Sequence, residues 1–216
     1  MPPYPTGSWM PVALSADLPA GTVMPAQSPA GPVALWRSRS GRAAAFADRC
    51  PHRGMRLSHG FVRGETLSCI YHGWGYAQAG NCLRIPAHPA LTPPDTIRVA
   101  TQPVEDGGGI IWISVGEPAA GPPRFEGLAP LRSMMVEVDI AALEAVAGTK
   151  ADGDLLDYAG NAPTIRLLLA PQGQARTLVH VLVAEGSSQA ERIAASRAAE
   201  ALRRAAEDIA HGGIAR

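Results

Sequence analysis

Apolar positions fall into two regimes along the chain. Up to about residue 115 they come as short runs cut by Gly, Pro, Asn and Asp, the spacing of strands and tight turns. Residues 33–37 and 43–48 read as strands joined by the turn Ser38-Arg39-Ser40-Gly41. Residues 66–69 form a short strand, and 76–83 a hairpin turning at Gly80-Asn81. Residues 97–100 and 110–115 are strands around Glu105-Asp106-Gly107-Gly108-Gly109. Residues 1–32, rich in Pro and Gly, read as loops and short edge strands. This regime predicts an all-β domain over residues 1–118.

Residues 117–130 are dense in Pro, Gly and Ala, and the linker is placed at 119–135. Beyond it the periods are mixed, over a second domain at 136–216. Residues 136–138 read as a strand. Asp139 is placed as the cap of a short helix through Val146, stopped at Gly148. Residues 164–170 and 176–184 are strands joined by Pro171-Gln172-Gly173-Gln174. Ser188-Gln189-Ala190-Glu191 is a capping box opening a helix to about Ala210, ended by His211 and Gly212. Its expected apolar stripe is Ile193, Ala198, Ala201, Leu202, Ala205 and Ile209, with Glu200 to Arg204 as a favourable pair. The second part is thus a small α+β domain, an antiparallel hairpin plus a C-terminal helix.

The 216 residues suffice for one large or two small domains, and 46% are hydrophobic. Aromatics are only 5%, so Ala, Val and Leu are expected to fill the core. Lys and Arg number 19 against 19 Asp and Glu, which implies no basic surface for nucleic acid. No apolar run approaches the length of a bilayer span. The opening Met1-Pro2-Pro3-Tyr4-Pro5 lacks the regions of a secretion signal, so a cytoplasmic location is expected.

The chemistry concentrates between Cys50 and Trp74. Cys50-Pro51-His52-Arg53-Gly54 is followed, with sixteen residues between His52 and Cys69, by Cys69-Ile70-Tyr71-His72-Gly73-Trp74. Each loop offers one thiolate and one imidazole, as C-x-H and C-x-x-H. Zinc accepts two Cys and two His, but its usual sites pair Cys with Cys and His with His along the chain. A Rieske [2Fe–2S] cluster holds one iron by two Cys and the other by two His, so a loop spanning both irons supplies one of each. Gly54 and Gly73 allow close backbone approach. Rieske ligation ranks first, zinc second. Cys50, His52, Cys69 and His72 are the expected cofactor and metal ligands. Cys82, the remaining cysteine, reads as a small buried hydrophobe.

Trp9-Met10-Pro11-Val12, Leu35-Trp36-Arg37, Ala47-Asp48-Arg49-Cys50-Pro51-His52-Arg53-Gly54 and Leu57-Ser58-His59-Gly60 carry a resemblance, continued by Tyr71-His72-Gly73-Trp74, Ile85-Pro86-Ala87 and Gly109-Ile110-Ile111-Trp112-Ile113. Residues 9–117 resemble the N-terminal Rieske domain of ring-hydroxylating and O-demethylating non-haem iron oxygenases. The resemblance implies a [2Fe–2S] cofactor, a reductase or ferredoxin as electron donor, and an oligomer in which a cluster serves the iron of a neighbouring subunit. Respiratory Rieske proteins add a cysteine to each loop for a disulfide; Met55 and Ile70-Tyr71 stand there instead. In the resembled family a C-terminal domain holds a mononuclear iron by two His and one carboxylate. Asp157 aligns with the carboxylate that links cluster to iron, but Gly160, Thr164 and Ile165 stand where imidazoles belong. The second half therefore resembles a shortened remnant of that domain.

Two readings remain open. The chain is an electron-transfer component or accessory subunit, working beside a full-length oxygenase, with no oxygenase activity alone. Alternatively it is a complete small oxygenase with an atypical iron site, in which Asp152, Asp154 and Asp157 supply the carboxylates and His180 one imidazole, with a second His required from elsewhere. Among the other residues, His59 and His88 read as loop residues, His180 as half-buried strand packing and Trp74 as a shield against water. Arg53 and Arg56 read as partner docking or solvation.

Overall fold

Apolar runs this short can form only short strands, and glycines close the turns between them. The computed structural model describes residues 4–159, 164–173, 175–210 and 212. They divide into two units, Met1–Gly107 with Ile111–Pro123, and Gly108–Ile110 with Arg124–Arg216.

The first unit is built from β1 (Trp9–Leu14), β2 (Val23–Ser28), β3 (Gly31–Arg37), β4 (Ala43–Ala47), β5 (Phe61–Arg63), β6 (Thr66–Ser68), β7 (Gly75–Tyr76), β8 (Cys82–Arg84), β9 (Thr101–Gln102), β10 (Val104–Gly107) and β11 (Ile110–Ser114). Three sheets result, ordered β2-β3-β4-β9, β5-β6-β7-β8 and β1-β11-β10. The expected hairpin of β3 and β4 pairs Val33 with Ala47 and Arg37 with Ala43. Residues 97–100 are not a regular strand. Arg98 makes only an isolated bridge to Asn81. Here the chain bonds to the neighbouring hairpin instead, Val99 N–H to Gly80 O at 2.9 Å and Cys82 N–H to Ile97 O at 3.0 Å. Gly80 permits this approach, since a Cβ there would lie 2.3 Å from Val99 O.

The core of this unit is more aromatic than the composition suggests. Trp36, Phe46 and Tyr76 are fully buried with Cys50 and Cys69 in one cluster. Trp36 meets Phe46 edge to face at 5.4 Å, a contact adding about 1 kcal/mol to the burial itself. Trp74 packs against the same cluster.

The second unit contains β12 (Leu128–Val136), α1 (Ile140–Ala147), β13 (Leu155–Tyr158), β14 (Ile165–Gly173), β15 (Arg176–Ala184) and α2 (Gln189–Ala210). The expected hairpin, β14 with β15, lies at the centre of a four-stranded sheet ordered β12-β15-β14-β13. Strand β12 starts at Leu128, inside the segment read as linker to 135, and pairs with β15 from Leu128↔Ala184 to Val136↔Thr177. Asp139 caps α1 as expected, its Oδ1 accepting the Ala142 N–H at 3.0 Å. Gly148 ends α1 in the left-handed region at φ 70°. The capping box forms too, with Ser188 N–H donating to Glu191 Oε2 at 2.7 Å.

The stripe of α2 differs from expectation. Ala195, Ala199, Leu202 and Ala206 are buried, whereas Ile193 is 45% and Ile209 69% exposed. Alanines let the helix lie close to Val179, Val181 and Val183, so the packed face is the one with the smallest side chains.

Candidate metal centre

Two loops carry the four candidate ligands, one between β4 and β5, the other between β6 and β7. They share one backbone pattern. Cys50 N–H donates to Met55 O and Gly54 N–H to Cys50 O, both at 2.8 Å; Cys69 N–H donates to Trp74 O and Gly73 N–H to Cys69 O, both at 2.9 Å. In each loop the glycine four residues after the cysteine has positive φ, +74° at Gly54 and +70° at Gly73, which side chains rarely adopt. The loops are thus near-copies, differing in whether His stands two or three positions after Cys. Where their bases meet, Gly60 is obligatory: a Cβ there would lie 2.4 Å from the Ser68 carbonyl oxygen.

Cys50 and Cys69 are each 2% exposed. His72 is exposed and His52 half-buried. The imidazoles approach each other edge to face, centroids 4.7 Å apart. Trp74 stacks on His52 at 4.3 Å and 5° between planes, and Tyr71 on His72 at 3.9 Å. The result is a buried thiol pair and an outward imidazole pair. Partial desolvation, then the neighbouring His72 and Arg53, hold His52 below its ordinary pKa, so the ring stays neutral and free to ligate. Burial and the adjacent Cys50 push the Cys69 thiol up. Two crowded thiolates need a cation's positive charge, which a metal supplies. Among the described residues no three His, Cys, Asp or Glu side chains converge as ligands of one ion. A thiol pair beside an imidazole pair is the donor set that a Rieske [2Fe–2S] cluster takes, two Cys on one iron and two His on the other.

Further residues shape this centre. Asp48, 8% exposed, accepts the Ser58 N–H and hydroxyl, each at 2.7 Å, and so closes the first loop. No sequence spacing marks that pair. The Tyr76 hydroxyl lies 3.1 Å from Cys50 Sγ. Burial, then Cys50, keeps that phenol protonated by raising its pKa. Strand alternation could have found Tyr76, since it pairs with the inward Leu67. Cys82 is buried in the same cluster as Cys50, with its thiol raised chiefly by burial. His59, His88, Arg53 and Arg56 are exposed.

The residues weighed for a second iron do not assemble. Asp157 faces Arg166 across β13 and β14 and pairs with it at 2.8 Å. Ile165 is 1% exposed in the core, and Thr164 is exposed. Asp152 is exposed; Asp154 is half-buried, which raises its pKa. His180 is fully rather than half buried, its Nδ1 2.7 Å from Ser133 Oγ. Gly160 and His211 lie outside the described residues.

Residues 8–101 match the model of the Rieske [2Fe-2S] domain. Oxidoreductase NdmD of Pseudomonas putida is 43% identical over 115 residues, 53% of this chain and 20% of that protein. The oxygenase subunit of 3-chlorobenzoate-3,4-dioxygenase from Comamonas testosteroni is 33% identical over 148 residues, 63% of this chain and 32% of that protein. The chain therefore spans between a fifth and a third of the length of these relatives. Among solved structures, NdmA of Pseudomonas putida CBB5 superposes with a TM-score of 0.74 over 97% of this chain and 83% of that one, at 18% identity, a likeness of fold. No described helix is long and apolar enough to cross a membrane.

Proposed function

We propose, from the premise that residues 8–101 are a Rieske [2Fe-2S] domain of the kind found in Rieske oxygenases, that this chain is an electron-transfer component of a non-haem iron oxygenase system. Its cofactor is a [2Fe–2S] cluster. Cys50 and Cys69 would hold one iron and His52 and His72 the other. The carrying observation is the pair of matched loops that buries both thiols and turns both imidazoles outward. When bound, the cluster takes up and releases single electrons.

The chain's own residues set the conditions for that exchange. Tyr76 offers its hydroxyl to the Cys50 sulfur. Trp74 covers one face of His52 and fixes the ring plane. Asp48 and Ser58 lock the first loop, so the ligand sites are preorganised. His72, with an exposed edge, is the favoured exit for an electron. The donor is a reductase or ferredoxin, and the acceptor a full-length oxygenase subunit in a mixed oligomer. The α+β unit serves as a scaffold without its own iron: Asp157 is engaged by Arg166, His180 is buried against Ser133, and Ile165 is core.

The test is iron stoichiometry with EPR after anaerobic reconstitution. Two irons per chain and a reduced-state signal of mixed Cys/His ligation are expected. A third iron bound by the isolated chain and coupled to substrate oxidation would support the complete-oxygenase reading instead. A colourless protein holding one zinc would defeat both.

A further inference from the structure

The outer face of the sheet β5-β6-β7-β8 carries a hollow that the assignment of ligands does not use. It measures about 290 Å³ and is lined by Arg63, Thr66, Ser68, Leu83 and Arg84. Alternation explains its lining. Leu67 points into the core, so Thr66 and Ser68 lie on the opposite face of the strand, with Ser68, 2% exposed, at the floor of the hollow. Ser68 pairs with Gly75, and Gly75 with Arg84, across three strands. Gly75 leaves the middle of that row open, for a Cβ there would lie 2.9 Å from Thr66 Cγ2. On one side Arg63 stands over the Phe61 ring, 4.9 Å from its centroid, which holds the guanidinium in place. The floor residue Ser68 is bonded directly to Cys69.

Charge around the hollow is one-sided. From Arg49 to Leu91 the chain has five arginines and a single carboxylate, Glu65, although the whole chain is balanced. Glu65 is taken up by the Ser40 N–H and hydroxyl and by Arg42. Nothing acidic therefore answers Arg63 and Arg84 within this stretch. Leu83, 50% exposed, adds apolar surface to the cations, and the Phe61 ring lies under Arg63. Arginine beside aromatic and aliphatic groups is the composition of a protein interface rather than of a small-anion pocket.

We propose that this hollow, with Arg63 and Arg84, is the docking site of an acidic one-electron carrier protein, a surface carboxylate of the carrier entering between the two guanidinium groups. The inference rests on the electron-transfer reading above and names its donor side. One electron leaves the reduced carrier and one is gained at the centre beside Cys69; no bond is made or broken.

The experiment uses the reconstituted full chain and, as probe, an acidic plant-type [2Fe–2S] ferredoxin. Its oxidised form is titrated calorimetrically, and its reduced form is mixed by stopped flow. Arg63→Glu and Arg84→Glu should each weaken binding and slow reduction about tenfold, and added salt should abolish the difference. Arg84→Lys should keep most of the rate. Arg197→Glu, the same charge change in the second unit, should have no effect. Reduction by dithionite and the EPR signal should be unchanged in all four. A normal signal with ferredoxin affinity and rate insensitive to Arg63 and Arg84 overturns the docking site alone. A change in sedimentation coefficient in Arg84→Glu, without loss of ferredoxin affinity, would assign the hollow to a second copy of the chain and equally overturn it. Absence of any [2Fe–2S] signal would sink the underlying assignment, and the docking site with it.

Discussion

The Tyr76 hydroxyl lies 3.1 Å from Cys50 Sγ, and both residues are buried. With Cys50 ligating as a thiolate, as proposed, the hydroxyl would donate to its sulfur, draw off negative charge and favour the reduced state. Tyr76→Phe should therefore keep the cluster and lower its midpoint potential by about 40 mV, the equivalent of about 1 kcal/mol in a one-electron couple. Redox titration followed by EPR reads the shift. An unchanged midpoint would mean that the hydroxyl does not act on a ligand.

Asp48 should matter for stability and loop order more than for potential. Asp48→Ala leaves the buried Ser58 N–H and hydroxyl without their acceptor. The expected loss is about 2 kcal/mol, read as a lower urea midpoint with unchanged slope. Reconstitution with iron and sulfide should also become less complete. A midpoint equal to that of the parent protein would remove Asp48 from the account of the loop.

At Gly60 the obstacle is backbone. A methyl group would meet the Ser68 carbonyl oxygen at 2.4 Å, and an oxygen held in a strand cannot turn away as a side chain does. Gly60→Ala should cost roughly 2 kcal/mol and broaden the EPR spectrum by loosening the spacing of the loops. Gly64→Ala is the control, since nothing lies within 4 Å of its Cβ position and only the positive φ of 58° opposes it. If the Gly60 variant were the milder of the two, the close approach would be wrong.

Acid should weaken the second unit through Glu200. Arg203, then Arg204, holds its carboxyl down at about 2. Its pKa in the unfolded chain is about 4.3. A depressed folded pKa gives stability that is complete above the unfolded value and lost as pH falls from about 4.3 towards 2. Glu200→Gln should flatten the melting temperature against pH in that window and leave the slope from pH 6 to 8 unaltered. Thermal melts of the helix signal would show it. Glu65, held at about 2 first by Ser40, adds a parallel effect in the first unit.

The candidate ligand set was legible from Cys50 to Trp74, because residue type and spacing are local properties of the chain. The caps of α1 and α2 were legible for the same reason, since a side chain three residues from its partner needs no tertiary contact. Tertiary structure decided what depends on residues distant in sequence. It placed Tyr76 against Cys50, stacked Trp74 on His52, and closed the first loop through Asp48 and Ser58. It turned α2 onto its alanines because close packing against β15 outweighs the larger but looser burial of Ile193 and Ile209. It also drew residues 128–136, which carry no strong strand pattern, into the edge of a sheet through pairing with β15. The chain's own pattern determined which atoms could ligate and where short elements begin; only long-range packing decided which groups surround those candidate ligands, because no local period encodes such contacts.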